Sequence, residues 1–526
     1  MPLILLMLGA LGVTAVSLRL RLPAPLMLVV SGLAVSAIPG VPDYQLDPKL
    51  VLYGILPPLL YSAALDSSAI RIRANIRSIA LLAVGLVLFS TGCVGLVAWW
   101  LVPGLPLGAA LAFAAVVAPP DAVAAVSIGR RLGLPRRVMT VLSGESLFND
   151  ATALTALRVA VGAGVGSSFS LAAELGGFLL TATGGVVLGA VLGRVVYQAR
   201  LRLLDPRLES ALGLVVPFAA YALAEEMHVS GVLAVVMAGL HLGHRAPQAG
   251  YATRLQDKAV WQAADTVLEA FVFALIGLQL PAVLRGVSGD IRPLLVAAAA
   301  VIVTLVLARV AWVFPVTYLP RMLFAGLAAR DPAPPWQVPS VISWAGMRGV
   351  VTLAAASTIP TLTNSGAPFP GRPEIIFLAF CVTVATLLLH GLTLPWVIRR
   401  LGGEGRLGGG GHESHQDALA EADAIHAATQ AALERLESAL SGAPEAVTTR
   451  LRKVAEHRSH SAWERLGRPE TELGEAPSVI YRRLRLEMLA AERETLVGLR
   501  DTGRISDEVL SSTLHALDLE EAMLRR

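Results

Sequence analysis

Cysteine is almost missing from this chain: its 526 residues hold only Cys93 and Cys381, each inside an apolar run. That count excludes a disulfide framework, and both thiols read as small core residues. Charge is scarce as well, at 16% of residues. The cations sit in loops between apolar runs rather than in one patch, which argues against nucleic-acid binding. No basic leader precedes the first apolar run, residues 2–18, whereas Arg19 and Arg21 follow it. A cleaved secretory signal has the reverse order. The run is therefore expected to stay as a first helix with its N-terminus outside.

What fills the chain is apolar. Hydrophobic residues make up 55% and the mean hydropathy is +0.64, the balance of an all-α polytopic membrane protein. A helix needs about 20 residues to cross a bilayer. On that measure thirteen spans are expected, at approximately 2–18, 24–39, 48–65, 78–102, 107–128, 138–163, 174–197, 208–226, 229–244, 257–284, 293–319, 338–360 and 374–398. If successive helices alternate in direction, twenty Lys/Arg between Arg19 and Arg400 collect on one side. Only four, Lys49, Arg285, Arg292 and Arg372, collect on the other. The richer side is cytoplasmic by the positive-inside rule, and the C-terminus lies there too.

Residues 1–401 carry 27 Lys/Arg against 17 Asp/Glu, and residues 402–526 carry 16 against 22. This acidic tail opens with a glycine-rich linker, 402–412. Beyond it, Leu419 to Leu440, Val479 to Leu499 and Val509 to Met523 repeat apolar residues at helical spacing. Three or four packed amphipathic helices are expected over 413–526, as a small cytoplasmic domain. A regulatory partner for it is a second reading.

Charges inside the spans are the functional clue, because an acid in hydrocarbon is costly and therefore rare. Asp150 and Arg348 fall near the midpoints of the sixth and twelfth spans. Pro119-Pro120 removes two amide donors just before Asp121, so the fifth helix is expected to break there. Gly346-Met347-Arg348-Gly349 offers a second break. Broken helices meeting at the midplane build the sites of many secondary transporters. Arg348 is suited to neutralise the carbonyl ends of facing half-helices. Ser146 and Asp150, four apart, share a helix face and can offer oxygens to a hard cation. Glu145 and Asn149 share the neighbouring face and can hold the helix against Arg309 or Arg348. Asp121 either caps its broken helix or binds the ion. Arg158 reads as a paired or snorkelling residue, and Asp265 and Glu269 as facing cytoplasmic water.

Five stretches carry a family resemblance. They are Gly144-Glu145-Ser146-Leu147-Phe148-Asn149-Asp150, Ala118-Pro119-Pro120-Asp121-Ala122-Val123-Ala124, Leu56-Pro57-Pro58-Leu59-Leu60-Tyr61, Val229-Ser230-Gly231-Val232-Leu233-Ala234 and Gly346-Met347-Arg348-Gly349-Val350-Val351. In this order and at these depths, over about residues 1–400, the chain resembles the sodium/proton exchangers of the monovalent cation/proton antiporter superfamily. The resemblance implies thirteen helices with two inverted repeats whose broken helices cross at the midplane, and a homodimer in lipid. It implies that Asp150 binds Na+ or a proton, with Ser146 and the backbone carbonyl of Pro120 as further ligands. It also implies that Asp121 supports the crossing, that Glu145 bridges to Arg309, and that Arg348 sits between half-helices. Two departures stand out: Pro120 and Ala122 flank Asp121 where the pattern has Thr and Pro, and Ser62 stands where many relatives carry an acid.

The expected activity is thus exchange of sodium (or lithium) for protons across the cell membrane by alternating access. With Asn149 in place of a second acid, one ion exchanges for one proton and the exchange is electroneutral. No cofactor is expected. Potassium/proton exchange is the alternative within the class. A channel would want a filter-like repeat or a ring of acids, and neither is present. An intramembrane hydrolase using Asp121 and Asp150 would leave Asn149 and Arg348 without a task, so an enzyme is not expected.

Overall fold

A computed structural model describes residues 2–20, 22–39, 48–165, 171–203, 205–287, 290–363, 366–402, 410–438, 445–464, 477–502, 504 and 507–524. The chain divides into two compact units, Met1–Gly408 and Gly409–Arg526. Most of the expected linker, residues 403–409, lies outside the described residues.

The first unit is helical throughout. It opens with α1 (Pro2–Arg19) and α2 (Ala24–Ser36). A π-helical turn over Leu50–Ile55 then runs into α3 (Leu56–Leu65). Pro57 and Pro58 in the first turn of α3 have no N–H for the carbonyls one turn back, which accounts for the widened turn before them. Next come α4 (Ala69–Ala74) and α5 (Ile76–Ala80), which continues through a second π-stretch, Leu81–Leu86, into α6 (Val87–Leu101). The fifth expected span is α7 (Leu107–Val117) and α8 (Ala122–Arg131), separated at the two prolines. There follow α9 (Arg136–Val165), α10 (Leu171–Arg200), α11 (Pro206–Glu226) and α12 (Gly231–Arg245). Between α11 and α12 the chain reverses at His228, whose φ is 54°, and Ser230 Oγ caps α12 by accepting from the Leu233 N–H at 3.3 Å. The tenth expected span ends early: α13 (Tyr251–Leu278) gives way at Gln279 to the short α14 (Leu280–Gly286), with Pro281 in its first turn. The unit closes with α15 (Arg292–Leu323), α16 (Ala325–Arg330), α17 (Gln337–Trp344), α18 (Val350–Ser357) and α19 (Arg372–Gly402).

Six helices are long and apolar enough to cross a membrane among the described residues: Ile76–Leu101, Gly176–Arg200, Pro206–Glu226, Tyr251–Leu278, Arg292–Leu323 and Arg372–Leu401. Length and apolarity by themselves therefore mark six crossings of the thirteen expected. The others are short, such as the 13-residue α2, or interrupted, such as α7–α8 and α17–α18. Helix α9 is long enough at 30 residues, but Arg136, Arg137, Glu145, Asp150 and Arg158 dilute its hydropathy. Large apolar side chains face outward on these helices, Trp100 at 82% exposure and Leu180 at 72%, as bilayer contact requires.

Small residues set the packing. Ala109, Ala110, Ala112, Ala114 and Ala115 are fully buried, so α7 lies in the middle of the unit with apolar neighbours on every side. Helices α2 and α13 touch backbone to backbone, since a Cβ on Gly32 would lie 2.6 Å from the Ala274 carbonyl oxygen. At the loop ends Asp331 accepts from Arg137 at 2.7 Å and from Arg321 at 2.6 Å, joining α9 to α15.

The second unit holds α20 (Gly410–Ser438), α21 (Glu445–Glu464), α22 (Pro477–Asp501) and α23 (Asp507–Leu524). The last glycines of the expected linker thus belong to α20. Helix α21 was not signalled by apolar repeats, because its sequence is mostly polar. Arg485 binds Glu492 at 2.8 Å and Glu520 at 2.6 Å, and Arg493 binds Asp518 at 2.6 Å, fastening α22 to α23.

Candidate ion-binding site

Helix α7 stops at Val117 because Pro119 and Pro120 cannot donate to its last turn, and α17 stops at Trp344 before two glycines. The two interruptions meet directly: the Asp121 N–H donates to the Met347 carbonyl at 2.7 Å. Carbonyls released by the breaks need donors in a medium without water. Arg348, 2% exposed, supplies them. Its Nε donates to Val117 O at 2.9 Å, its Nη2 to Ala118 O at 3.3 Å and its Nη1 to Gly346 O. One fixed cation thus sits at the carbonyl ends of both half-helices, where partial negative charge collects. The Arg348 N–H is held in turn by Thr386 Oγ1 at 3.2 Å. Gly349 is required by close approach, since a Cβ there would fall on the Asp121 carboxylate.

Helix α9 presents two different faces to this crossing. Glu145, 1% exposed, accepts two bonds from Arg309, from Nη1 at 2.6 Å and Nη2 at 2.8 Å. Arg309 Nε donates to the Ile342 carbonyl at 3.0 Å, so the pair also holds the last turn of α17. One turn along, Asn149 is fully buried and its Nδ2 donates to the Pro120 carbonyl at 2.6 Å. Of the two arginines left open by spacing, Glu145 takes Arg309, while Arg348 goes to the half-helix carbonyls.

Ser146 and Asp150 occupy the other face and line a cavity of about 440 Å³, which also reaches Pro120 and Asp121. Asp150 is 8% exposed. A separate small space of about 10 Å³ also touches Asp150, among Ala115, Val116, Leu154, Leu157 and Ala355. The larger cavity extends to Asp66, Ser67 and Arg130, at the ends of α3 and α8. The donors available around Asp150 are oxygens, from hydroxyl, carboxylate and backbone, the set that hard cations prefer.

Sequence reasoning placed Asp265 and Glu269 toward cytoplasmic water and did not connect them with the ion site. They line this same cavity, and Ser62 Oγ donates to Asp265 Oδ2 at 2.5 Å. Their i, i+4 spacing puts them on one face of α13. Arg158 pairs with Glu225 across 3.7 Å, away from the cavity.

Comparison with known proteins agrees with this architecture. The family described as "Sodium/hydrogen exchanger, transmembrane" matches residues 3–400. An uncharacterised Na+/H+ exchanger of Mycobacterium tuberculosis is 34% identical over 516 residues, covering 97% of this chain and 93% of its own. A sodium, potassium, lithium and rubidium/H+ antiporter of Bacillus pumilus is 32% identical over 384 residues, 71% of this chain and 57% of its own. The structure of the sodium proton antiporter MjNhaP1 from Methanocaldococcus jannaschii shares the fold. It has a TM-score of 0.58, with 20% identity over 76% of this chain and 98% of its own. This multi-pass membrane chain belongs to the sodium/hydrogen exchanger family.

Proposed function

We propose that the protein exchanges Na+ for H+ across the cell membrane through a single site centred on Asp150, one ion for one proton. The observation that carries this reading is an almost fully buried carboxylate that lines a cavity together with Ser146, Pro120 and Asp121. A carboxylate in that position holds a proton or a sodium ion in turn. Desolvation favours the protonated form, and an arriving cation favours the ionised one. Either passenger neutralises the site, which lowers the cost of moving it through hydrocarbon. Movement of the crossing helices past their neighbours then opens the site to the other face.

Ser146 is the second sodium ligand in this reading, and Asp121 supports the crossing beside it. The Pro120 carbonyl, already an acceptor for Asn149, keeps a second lone pair for the ion. Asn149 contributes no charge, so loading stays neutral and exchange electroneutral. Glu145, Arg309 and Arg348 act as scaffold. The proposal includes thirteen crossings, with α5–α9 and α15–α19 as inverted repeats, a homodimer in lipid, an outer N-terminus and a cytoplasmic tail. The loop arginines support that orientation, and the cavity then opens to the cytoplasm beside Arg130. The breadth of cations in the Bacillus relative's name keeps lithium and potassium as candidate substrates beside sodium.

The test is proton flux in proteoliposomes after addition of Na+, Li+ or K+. Sodium- or lithium-driven flux in the native chain and none in Asp150→Asn is the expected result. Exchange retained in Asp150→Asn would remove Asp150 from the mechanism.

A further inference from the structure

The cavity above Asp150 contains more oxygen than one site needs. Asp265 and Glu269 stand one turn apart on α13 and both line it, as does Asp66 at the end of α3. Ser62, 4% exposed, spends its only proton on Asp265 Oδ2 across 2.5 Å. Both acceptor positions of that hydroxyl stay available to a cation. The other carboxylate oxygen, Oδ1, is enclosed and has no protein hydrogen-bond partner among the described residues. Buried polar atoms rarely stay without a partner. The acids also follow one another inward: Asp265 lies within electrostatic range of Asp66, and Glu269 within range of Asp265 and Asp121. Helix α13 itself belongs to neither interrupted pair.

We propose that Asp265, oriented by Ser62, is a second cation ligand in the cavity, a loading position from which Na+ passes along Glu269 to Asp150. This rests on the exchange reading above. Because the position is occupied before the transport step, it sets the sodium concentration needed more than the maximal rate. Ser62 is a positioning residue: it fixes which oxygen of Asp265 points to the ion.

The experiment measures initial exchange rate against Na+ concentration in proteoliposomes for the native chain, Asp265→Asn, Asp265→Glu and Ser62→Ala. Asp265→Asn should raise the half-saturating Na+ on the order of tenfold, about 1.4 kcal/mol, and lower the plateau by much less. Asp265→Glu should return the half-saturating value to near native, and Ser62→Ala should shift it in the same direction as Asp265→Asn by a smaller factor. An unchanged half-saturating Na+ in Asp265→Asn overturns the proposal. So does a fall in plateau without a shift. If Asp265→Asn is wholly inactive, recovery in Asp265→Glu supports the ligand role, and inactivity of both assigns the acid to the scaffold. Native exchange that is lost in Asp150→Asn but indifferent to Asp265 leaves the exchange reading standing while this one fails. No exchange by the native chain would sink both at the first step.

Discussion

The side-chain amide of Asn149 donates to the Pro120 carbonyl across 2.6 Å, tying the middle of α9 to the interruption of the fifth span. The bond explains why an amide stands beside Asp150. A carboxylate could not donate there, and its charge would face a carbonyl dipole. Asn149→Asp should therefore lower the melting temperature in detergent and reduce exchange, with part of both retained at a pH where the new acid is protonated. Asn149→Ala leaves the Pro120 oxygen without its donor, at a cost of about 1–3 kcal/mol. Equal melting of all three proteins would show that the bond contributes nothing.

Glu145 and Arg309 form a buried pair, 2% and 3% exposed at their side chains. Removing one member strands a charge in a dry interior, at about 3–5 kcal/mol. Glu145→Gln and Arg309→Met should each reduce the yield of folded protein and its melting temperature. The combined variant Glu145→Leu/Arg309→Met should recover much of the loss, because no lone charge remains. The recovery, read as a double-mutant cycle in thermal melts, is the informative quantity.

Arg348 reaches three carbonyls on two half-helices with one planar group. A lysine keeps the charge but has one compact head in place of the fork. Arg348→Lys should consequently cost exchange activity by at least about tenfold, or roughly 1.4 kcal/mol, while the protein still folds. Native-like flux in Arg348→Lys would mean that charge alone, without geometry, holds the crossing.

Outside the membrane, Asp331 gives a pH-dependent term of known sign. Partial burial alone would raise its carboxyl, but hydrogen bonds and charge from Arg137 and Arg321 hold it below the usual carboxylate range. A depressed folded value adds stability above the ordinary value of about 4, and that stability is lost as pH falls through the folded one. Arg137 is 45% exposed, so the effect stays below about 1 kcal/mol. Asp331→Asn should melt slightly lower than native at neutral pH and identically in strong acid. A difference that grows on acidification would reverse the assignment.

Much of this was readable from the chain because lipid is an unforgiving solvent. Pro119-Pro120 announced a break, and α7 ends two residues before it. Spacing separated the Ser146–Asp150 face from the Glu145–Asn149 face, and in the fold these lie on the cavity and on the buried hydrogen-bonded pairs respectively. Spacing could not choose between Arg309 and Arg348 for Glu145, because that choice depends on where α15 and α17 pass in space. Spacing likewise put Asp265 and Glu269 on one water-facing side without showing that this side borders the cavity at Asp150. Near the end of a span, an acid in a water-filled cavity and an acid at the outer surface leave the same trace in sequence. Helix α21 left only a weak trace, since Val447, Leu451 and Val454 are its few large aliphatic residues at helical spacing.

The partners Glu145 and Arg309 are separated by 164 positions along the chain. At a synthesis rate of about 5–20 residues per second, the arginine leaves the ribosome on the order of ten seconds after the acid it must meet. During that interval Glu145 waits without the guanidinium that pairs with it in the fold. The pairing that ties α9 to α15 thus forms only once α15 has emerged.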